Sequence, residues 1–155
     1  MVNLIIHGAN GKMGRVLETE ARKRNDCSVV AGIDRTQAYD LPFPVFNSTC
    51  KIDILADVII DFSNPNLLIP LLDFATERKM PLVICTTGFS EDQIKEIEKA
   101  AQIIPVFFSM NTSIGVNLLI ELAKKATAVL GEDFDIEIIE KHHNQKLDSP
   151  SGTAL

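Results

Sequence analysis

The chain has 155 residues, 46% of them hydrophobic and 23% charged, with 15 basic against 21 acidic side chains and a net charge of -6. That is enough apolar material for one compact core, and it excludes disorder as the main state. No apolar run approaches the roughly 18 residues of a membrane helix, because Leu67–Leu72 is cut by Pro70 and followed by Asp73. An acidic chain with no basic stripe and no aromatic platform is also poorly suited to a nucleic-acid backbone, so neither a membrane nor nucleic acid is expected as a partner.

The chain opens on Met1-Val2-Asn3-Leu4-Ile5-Ile6-His7, which lacks a basic n-region and runs at once into glycines. It reads as a buried strand in place of a secretion signal, and a cytoplasmic location is the expectation. Cys27, Cys50 and Cys85 are odd in number and contain no C-x-x-C pair, which argues against a disulfide framework and against structural zinc.

Short apolar runs alternate with helix-period segments, the pattern of βαβ units and a parallel sheet. The strand Asn3–His7 is followed by a glycine-rich turn and a helix over Lys12–Arg24, with Met13, Val16, Leu17 and Ala21 on its apolar face. Ser28–Ile33 is the next strand, and Asp34–Lys51, containing Leu41-Pro42-Phe43-Pro44, reads as irregular. Asp57–Phe62 is a third strand, and Asn64-Pro65 supplies an N-cap and a first-turn proline for a helix ending near Arg78.

Leu82–Cys85 is a short buried strand. Ser90-Glu91-Asp92-Gln93 then has the form of a capping box opening a helix that carries Ile94, Ile97 and Ala101. Ile104–Phe108 follows as a strand. Near Ser113 the rhythm changes to a longer helix, with Leu118, Leu119, Leu122, Ala126, Val129 and Leu130, ending at Gly131. Asp135–Glu140 alternates apolar and acidic residues like a half-exposed strand. A domain over residues 1–113 and the beginning of a second over 114–155 are expected. The run Ser149–Leu155 reads as a loop and a helix start with no helix after it, as if the chain were cut short.

Gly8-Ala9-Asn10-Gly11-Lys12-Met13-Gly14 lies between a strand and a helix with G-x-x-G-x-x-G spacing. Glycine there permits a tight turn, close approach of backbone N–H groups to a pyrophosphate, and close packing of helix on strand. Asp34 lies 20 residues beyond Gly14 at the end of the second strand, where a carboxylate accepts hydrogen bonds from an adenosine ribose. Arg35 can meet a 2′-phosphate or stack on adenine, or it is a solvated loop residue. An acid and a base side by side suggest tolerance of both NADH and NADPH. Thr86-Thr87-Gly88 follows the fourth strand, on the edge where open α/β sheets bind ligands; an ordinary turn is the alternative. Lys12 can likewise face phosphate, although plain solvent exposure is the favoured reading.

Glu140-Lys141-His142-His143-Asn144-Gln145-Lys146 offers proton donors and cations suited to an acidic substrate. Adjacent histidines on a strand face opposite ways and no further ligand completes a set, so no metal is expected. Ser151-Gly152-Thr153 at a helix start offers N–H groups and hydroxyls to an anion, or is a polar loop with a serine cap. The spacing of a phosphate-transferring P-loop is absent.

Taken together, GANGKMGR (Gly8–Arg15), IDFSNP (Ile60–Pro65), ICTTGFS (Ile84–Ser90), FSMNTSIGVNLL (Phe108–Leu119) and EIIEKHHNQKLDSPSGTAL (Glu137–Leu155) resemble the dihydrodipicolinate reductase family. The last run resembles the family's E-x-H-H-x-x-K-x-D-x-P-S-G-T-A signature along its whole length. The one local departure is Ser109-Met110, where family members often carry a small residue or proline.

The resemblance implies an α/β protein: a Rossmann-like parallel sheet flanked by helices, then the start of an α+β substrate-binding domain, with a homotetramer as the full-length assembly. It implies reduction of a cyclic imine dicarboxylate by NADH or NADPH. Carried over by position, His142 and Lys146 would be catalytic, with Lys146 the proton donor. His143, Lys146, Ser151, Gly152 and Thr153 would hold the substrate carboxylates. Gly8, Gly11, Lys12, Met13, Gly14, Asp34, Arg35, Thr86, Thr87, Gly88 and Asn111 would line the cofactor site. Two rivals are a non-catalytic nucleotide-sensing module, which leaves the histidine-lysine run without a role, and a related dehydrogenase acting on another amino-acid intermediate.

Overall fold

The structure is a computed structural model that describes residues 1–36 and 40–141. Its first compact unit is Met1–Phe108, and a second begins at Ser109. The first unit is built on strands β1 (Val2–His7), β2 (Cys27–Ile33), β3 (Val45–Phe46), β4 (Val58–Asp61), β5 (Leu82–Ile84) and β6 (Val106–Phe108). They pair in the order β3-β2-β1-β4-β5-β6, all parallel. The sheet order therefore reverses between β1 and β4, and open α/β sheets bind ligands at the carboxyl ends of the strands flanking such a reversal.

Apolar runs form these strands because a parallel sheet is covered on both faces. Ile5 and Ile6, neighbours on β1, consequently feed different cores. Ile5 packs with Ala31, Ile59, Leu82 and Ile84 beneath the helices α2 (Leu68–Glu77) and α3 (Glu91–Ala100). Ile6 packs with Ala9, Phe43 and Val45, with Leu17 of α1 (Lys12–Arg22) against them.

The helix boundaries follow local chemistry. Asn64 caps a 3-10 turn, Pro65–Leu67, by accepting from the Asn66 N–H at 3.0 Å, and the turn leads directly into α2. Pro70 is tolerated because it falls in the first turn of α2, where its missing N–H is not needed. Ser90 and Gln93 form the expected capping box, with bonds of 3.0 and 3.3 Å. In α3 the buried residues are Ile97 and Ala100; Ala101, the expected contact, is the exposed C-cap one position further on.

Three expectations are corrected. On α1 the buried residues are Gly14, Glu18 and Ala21, whereas Met13 and Val16 are each 47% exposed. The helix is rotated by backbone contact: a Cβ on Gly14 would stand 2.3 Å from the Gly8 carbonyl oxygen, so the glycine side must face the β1 turn. Glu18 accompanies that rotation inward and is held by the Arg22 side chain one turn on. Within Asp34–Lys51, β3 pairs with the end of β2, and a 3-10 turn follows at Thr49–Lys51. Two residues are too few for a periodic signal, and β3 exists through its pairing partner. Asp135–Glu140 is not a strand; alternation alone does not make one, and no neighbouring strand exchanges backbone bonds with it among the described residues.

The second unit contains α4 (Ile114–Leu130), capped by Ser113 and closed by Gly131 at φ 70°. None of its residues is buried. No helix among the described residues is long and apolar enough to cross a membrane.

Gly14→Ala is expected to cost about 1–3 kcal/mol, because the added carbon meets backbone that has no room to yield. Urea denaturation checks this, and a stability unchanged within error would disprove the packing role.

Candidate dinucleotide site

The carboxyl ends of β1, β2, β4 and β5 bring together most of the residues singled out in the sequence. Gly8 turns sharply after β1 at φ 81°, and its N–H and that of Ala9 both donate to the Ile33 carbonyl, at 2.8 and 3.2 Å. A Cβ on Gly8 would lie 2.6 Å from the Phe62 carbonyl oxygen. The turn after β1 is thereby sealed onto the ends of β2 and β4. Gly11 then starts α1 with no side-chain cap, whereas α3 and α4 begin on capping serines. The first N–H groups of an uncapped helix have no internal partner and carry the positive end of its dipole, a ready seat for an anion. Lys12 and Met13 lie exposed beside it.

Asp34, just beyond β2, braces this turn. Its Oδ2 accepts the Asn10 N–H at 3.0 Å, and its Oδ1 accepts the Thr36 N–H at 3.2 Å. The Asn10 side-chain amide donates to the Thr36 hydroxyl at 3.1 Å, while its carbonyl oxygen is a buried acceptor without a donor among the described residues. A carboxylate held in this way retains lone pairs for a further donor such as a ribose hydroxyl. Arg35 is exposed beside it, on the rim of a cavity of about 190 Å³ that also touches His7, Asp34 and Leu67.

The Thr86-Thr87-Gly88 segment follows β5, with Thr86 buried and Gly88 at φ 82°. Gly88 faces Pro65, and Gln93 of α3 donates to the Pro65 carbonyl at 2.7 Å, so the turns after β4 and β5 lie side by side. Asn111 belongs to the second unit. There it accepts the Ser113 N–H through Oδ1 at 2.8 Å, and its carbonyl receives the Asn117 amide at 3.2 Å. His142, His143, Lys146, Ser151, Gly152 and Thr153 lie outside the described residues.

A buried polar pair at the centre of this edge was not singled out from sequence. His7 and Asp61 end the adjacent strands β1 and β4 in register, and His7 Nδ1 lies 2.8 Å from Asp61 Oδ1, off the line of a straight ring N–H bond. Burial pushes the Asp61 carboxyl up. The contact with His7 and, to a lesser degree, the nearby Ser63 and Thr86 side chains more than offset that, and hold it below its ordinary value of 3.8; the Ser63 N–H also donates to Oδ1 at 3.2 Å. The only signal was an acid closing an otherwise apolar strand, which is equally the mark of a strand end. Burial, and next the nearby Asp61, push the Cys85 thiol up, which disfavours its thiolate form.

An uncapped helix start, glycines where any Cβ would strike backbone, and a braced carboxylate at the end of β2 fit a dinucleotide's pyrophosphate and ribose. Fold and site together define a Rossmann-type dinucleotide-binding protein.

The sequence narrows this class. Residues 2–112 match the family model described as dihydrodipicolinate reductase, N-terminus, and residues 115–155 match the one described as its C-terminus. The chain belongs to the dihydrodipicolinate reductase family. It is 48% identical over its full length to the 4-hydroxy-tetrahydrodipicolinate reductase of Clostridium tetani and 50% identical to that of Caldanaerobacter subterraneus subsp. tengcongensis, covering 61% of each. The chain thus spans less than two thirds of these relatives' length. Among solved structures it resembles a dipicolinate-bound dihydrodipicolinate reductase from Paenisporosarcina sp. TG-14, with TM-score 0.76 and 30% identity over 99% of this chain and 63% of that one. A scyllo-inositol dehydrogenase from Lactobacillus casei, at 15% identity and TM-score 0.63 over 81% of this chain and 42% of its own, shares the fold.

Because the Asp61 carboxyl lies below 3.8, its contribution to stability is complete above that pH and is lost as pH falls through the lower folded-state value. Asp61→Asn is therefore expected to flatten the acid limb of a stability–pH curve below about pH 4. An acid limb as steep as that of the parent would show that Asp61 is not held ionised by its neighbours.

Proposed function

We propose that the protein reduces 4-hydroxy-tetrahydrodipicolinate, the cyclic imine acid made from pyruvate and aspartate semialdehyde, to tetrahydrodipicolinate in lysine and diaminopimelate biosynthesis, using NADH or NADPH. The observation that carries this reading is the joint presence of the turn Gly8–Gly14 and the run Glu137–Leu155, which falls within the matched C-terminal region of the family. A nucleotide-sensing module accounts for the first and leaves the second without a purpose.

Residues 1–113 act as the cofactor domain and residues 114–155 contribute to substrate binding. The reduced nicotinamide supplies a hydride when bound. Gly8, Gly11, Lys12, Met13 and Gly14 receive the pyrophosphate, Asp34 and Arg35 the adenosine end, and Thr86, Thr87, Gly88 and Asn111 the remainder. Lys146, with His142 as its catalytic partner, delivers the proton that completes the reduction; a cation near a dicarboxylate binds it and serves as its acid. His143, Ser151, Gly152 and Thr153 hold the carboxylates together with Lys146, through charge and oriented N–H donors. The family resemblance further supports a cytoplasmic homotetramer acting on a small dicarboxylate, and the net charge of -6 counts against a nucleic-acid partner.

Calorimetric titration of the 155-residue chain with NADH and with NADPH is expected to give saturable binding of both. In a chain extended to the length of its relatives, Lys146→Ala is expected to remove most turnover while leaving NADH affinity within about threefold. Unchanged turnover would overturn the assignment of Lys146.

A further inference from the structure

A second cavity, of about 380 Å³, lies next to the Asp34 brace and is lined by Arg35, Val45, Phe46, Asn47 and Lys51. Arg35 and Asn47 also line the smaller cavity that holds Asp34, so the two spaces share a wall. The contact is fixed by backbone: the Asp34 N–H donates to the Phe46 carbonyl at 2.9 Å, and the Gly32 N–H to that of Pro44 at 2.9 Å. Lys51 is placed by the 3-10 turn Thr49–Lys51, whose first residue Thr49 and following residue Ile52 are buried, Ile52 at 1% exposure in the main core. With the turn pinned from inside, Lys51 is left on the outer rim.

Arg15, Arg22, Arg24, Lys23, Lys95, Lys99 and Lys124 each meet a carboxylate, as suits a protein with an acid excess. Arg35 and Lys51, like Lys12, Arg78, Lys79, Lys125 and Lys141, meet none among the described residues, and these two line one cavity. Asp34, which lines the neighbouring cavity, already accepts from Asn10 and Thr36. Two unneutralised cations beside a braced ribose-type carboxylate describe a seat for a compact dianion attached to that ribose.

We propose that Lys51 joins Arg35 in binding the 2′-phosphate of NADPH, and that Lys51 is the residue that admits the phosphorylated cofactor despite Asp34. This rests on the reading of the chain as a nicotinamide-dinucleotide binder. Asp34 alone favours the free 2′-hydroxyl of NADH and repels a phosphate. Arg35 and Lys51 together reverse the local sign of charge on the β3 side.

Calorimetry on the full 155-residue chain with NADH and NADPH tests it in the parent, in Lys51→Gln, and in Lys99→Gln, which makes the same change in net charge on α3. Lys51→Gln is expected to weaken NADPH by about fivefold or more, the size of one lost charge-assisted contact at a partly exposed site, and to leave NADH within about twofold. Raising salt is expected to weaken NADPH more steeply than NADH in the parent, with the gap narrowed in Lys51→Gln. Lys99→Gln is expected to match the parent. Equal changes for both cofactors, or none for either, would overturn the role of Lys51 while leaving dinucleotide binding intact. A parent that binds neither cofactor would overturn the dinucleotide reading itself, and this inference with it.

Discussion

The contact between Gly14 and Gly8 is the constraint on which the rest of the site depends. With 2.3 Å between a would-be Cβ and a carbonyl oxygen, helix α1 can approach the turn after β1 only because both faces of the contact are bare backbone. The approach sets the rotation of α1, turns Glu18 inward and leaves Met13 and Val16 outside. It also sets the uncapped start of the helix at the sheet edge, where free N–H groups are available to an anion. One steric fact thereby links packing to binding.

Around that contact the turns are locked by polar groups at strand ends. Asp34 ties the turn after β1 to the end of β2 through Asn10. Asp61 ties the end of β4 to His7 in β1 and to its own following turn through Ser63. Carboxylates withdrawn from water are costly unless satisfied, and buried Asp61 and half-buried Asp34 are each met by groups from a neighbouring strand or turn. Their placement makes the carboxyl edge of the sheet a rigid frame, which is what a site built on loops requires for accurate positioning. The short strand β3 extends the frame outward and creates the wall shared by Arg35 and Lys51.

Much of this was legible in the order of residues. Strand and helix alternation announced the parallel sheet, Ser90-Glu91-Asp92-Gln93 announced a helix start in the form observed, and Asn64-Pro65 did the same for the segment leading into α2. The glycine spacing and Asp34 pointed to the turn that the structure sets at the sheet edge, because such turns need glycine at particular steps and the carboxylate stands at the second strand's end. The misreadings share a cause. Asp135–Glu140 has the alternation of a strand but no pairing partner among the described residues, and β3 has a partner but almost no pattern of its own.

The amino-acid order by itself therefore determined the class of fold, the helix caps, the location of the nucleotide-type turn and the family, since all of these rest on local spacing and composition. Tertiary structure alone decided which side of α1 faces inward, that His7 meets Asp61, and that Lys51 comes to stand with Arg35. Those outcomes depend on groups many residues apart meeting across strand pairs, and spacing along one chain carries no record of such meetings until the sheet has formed.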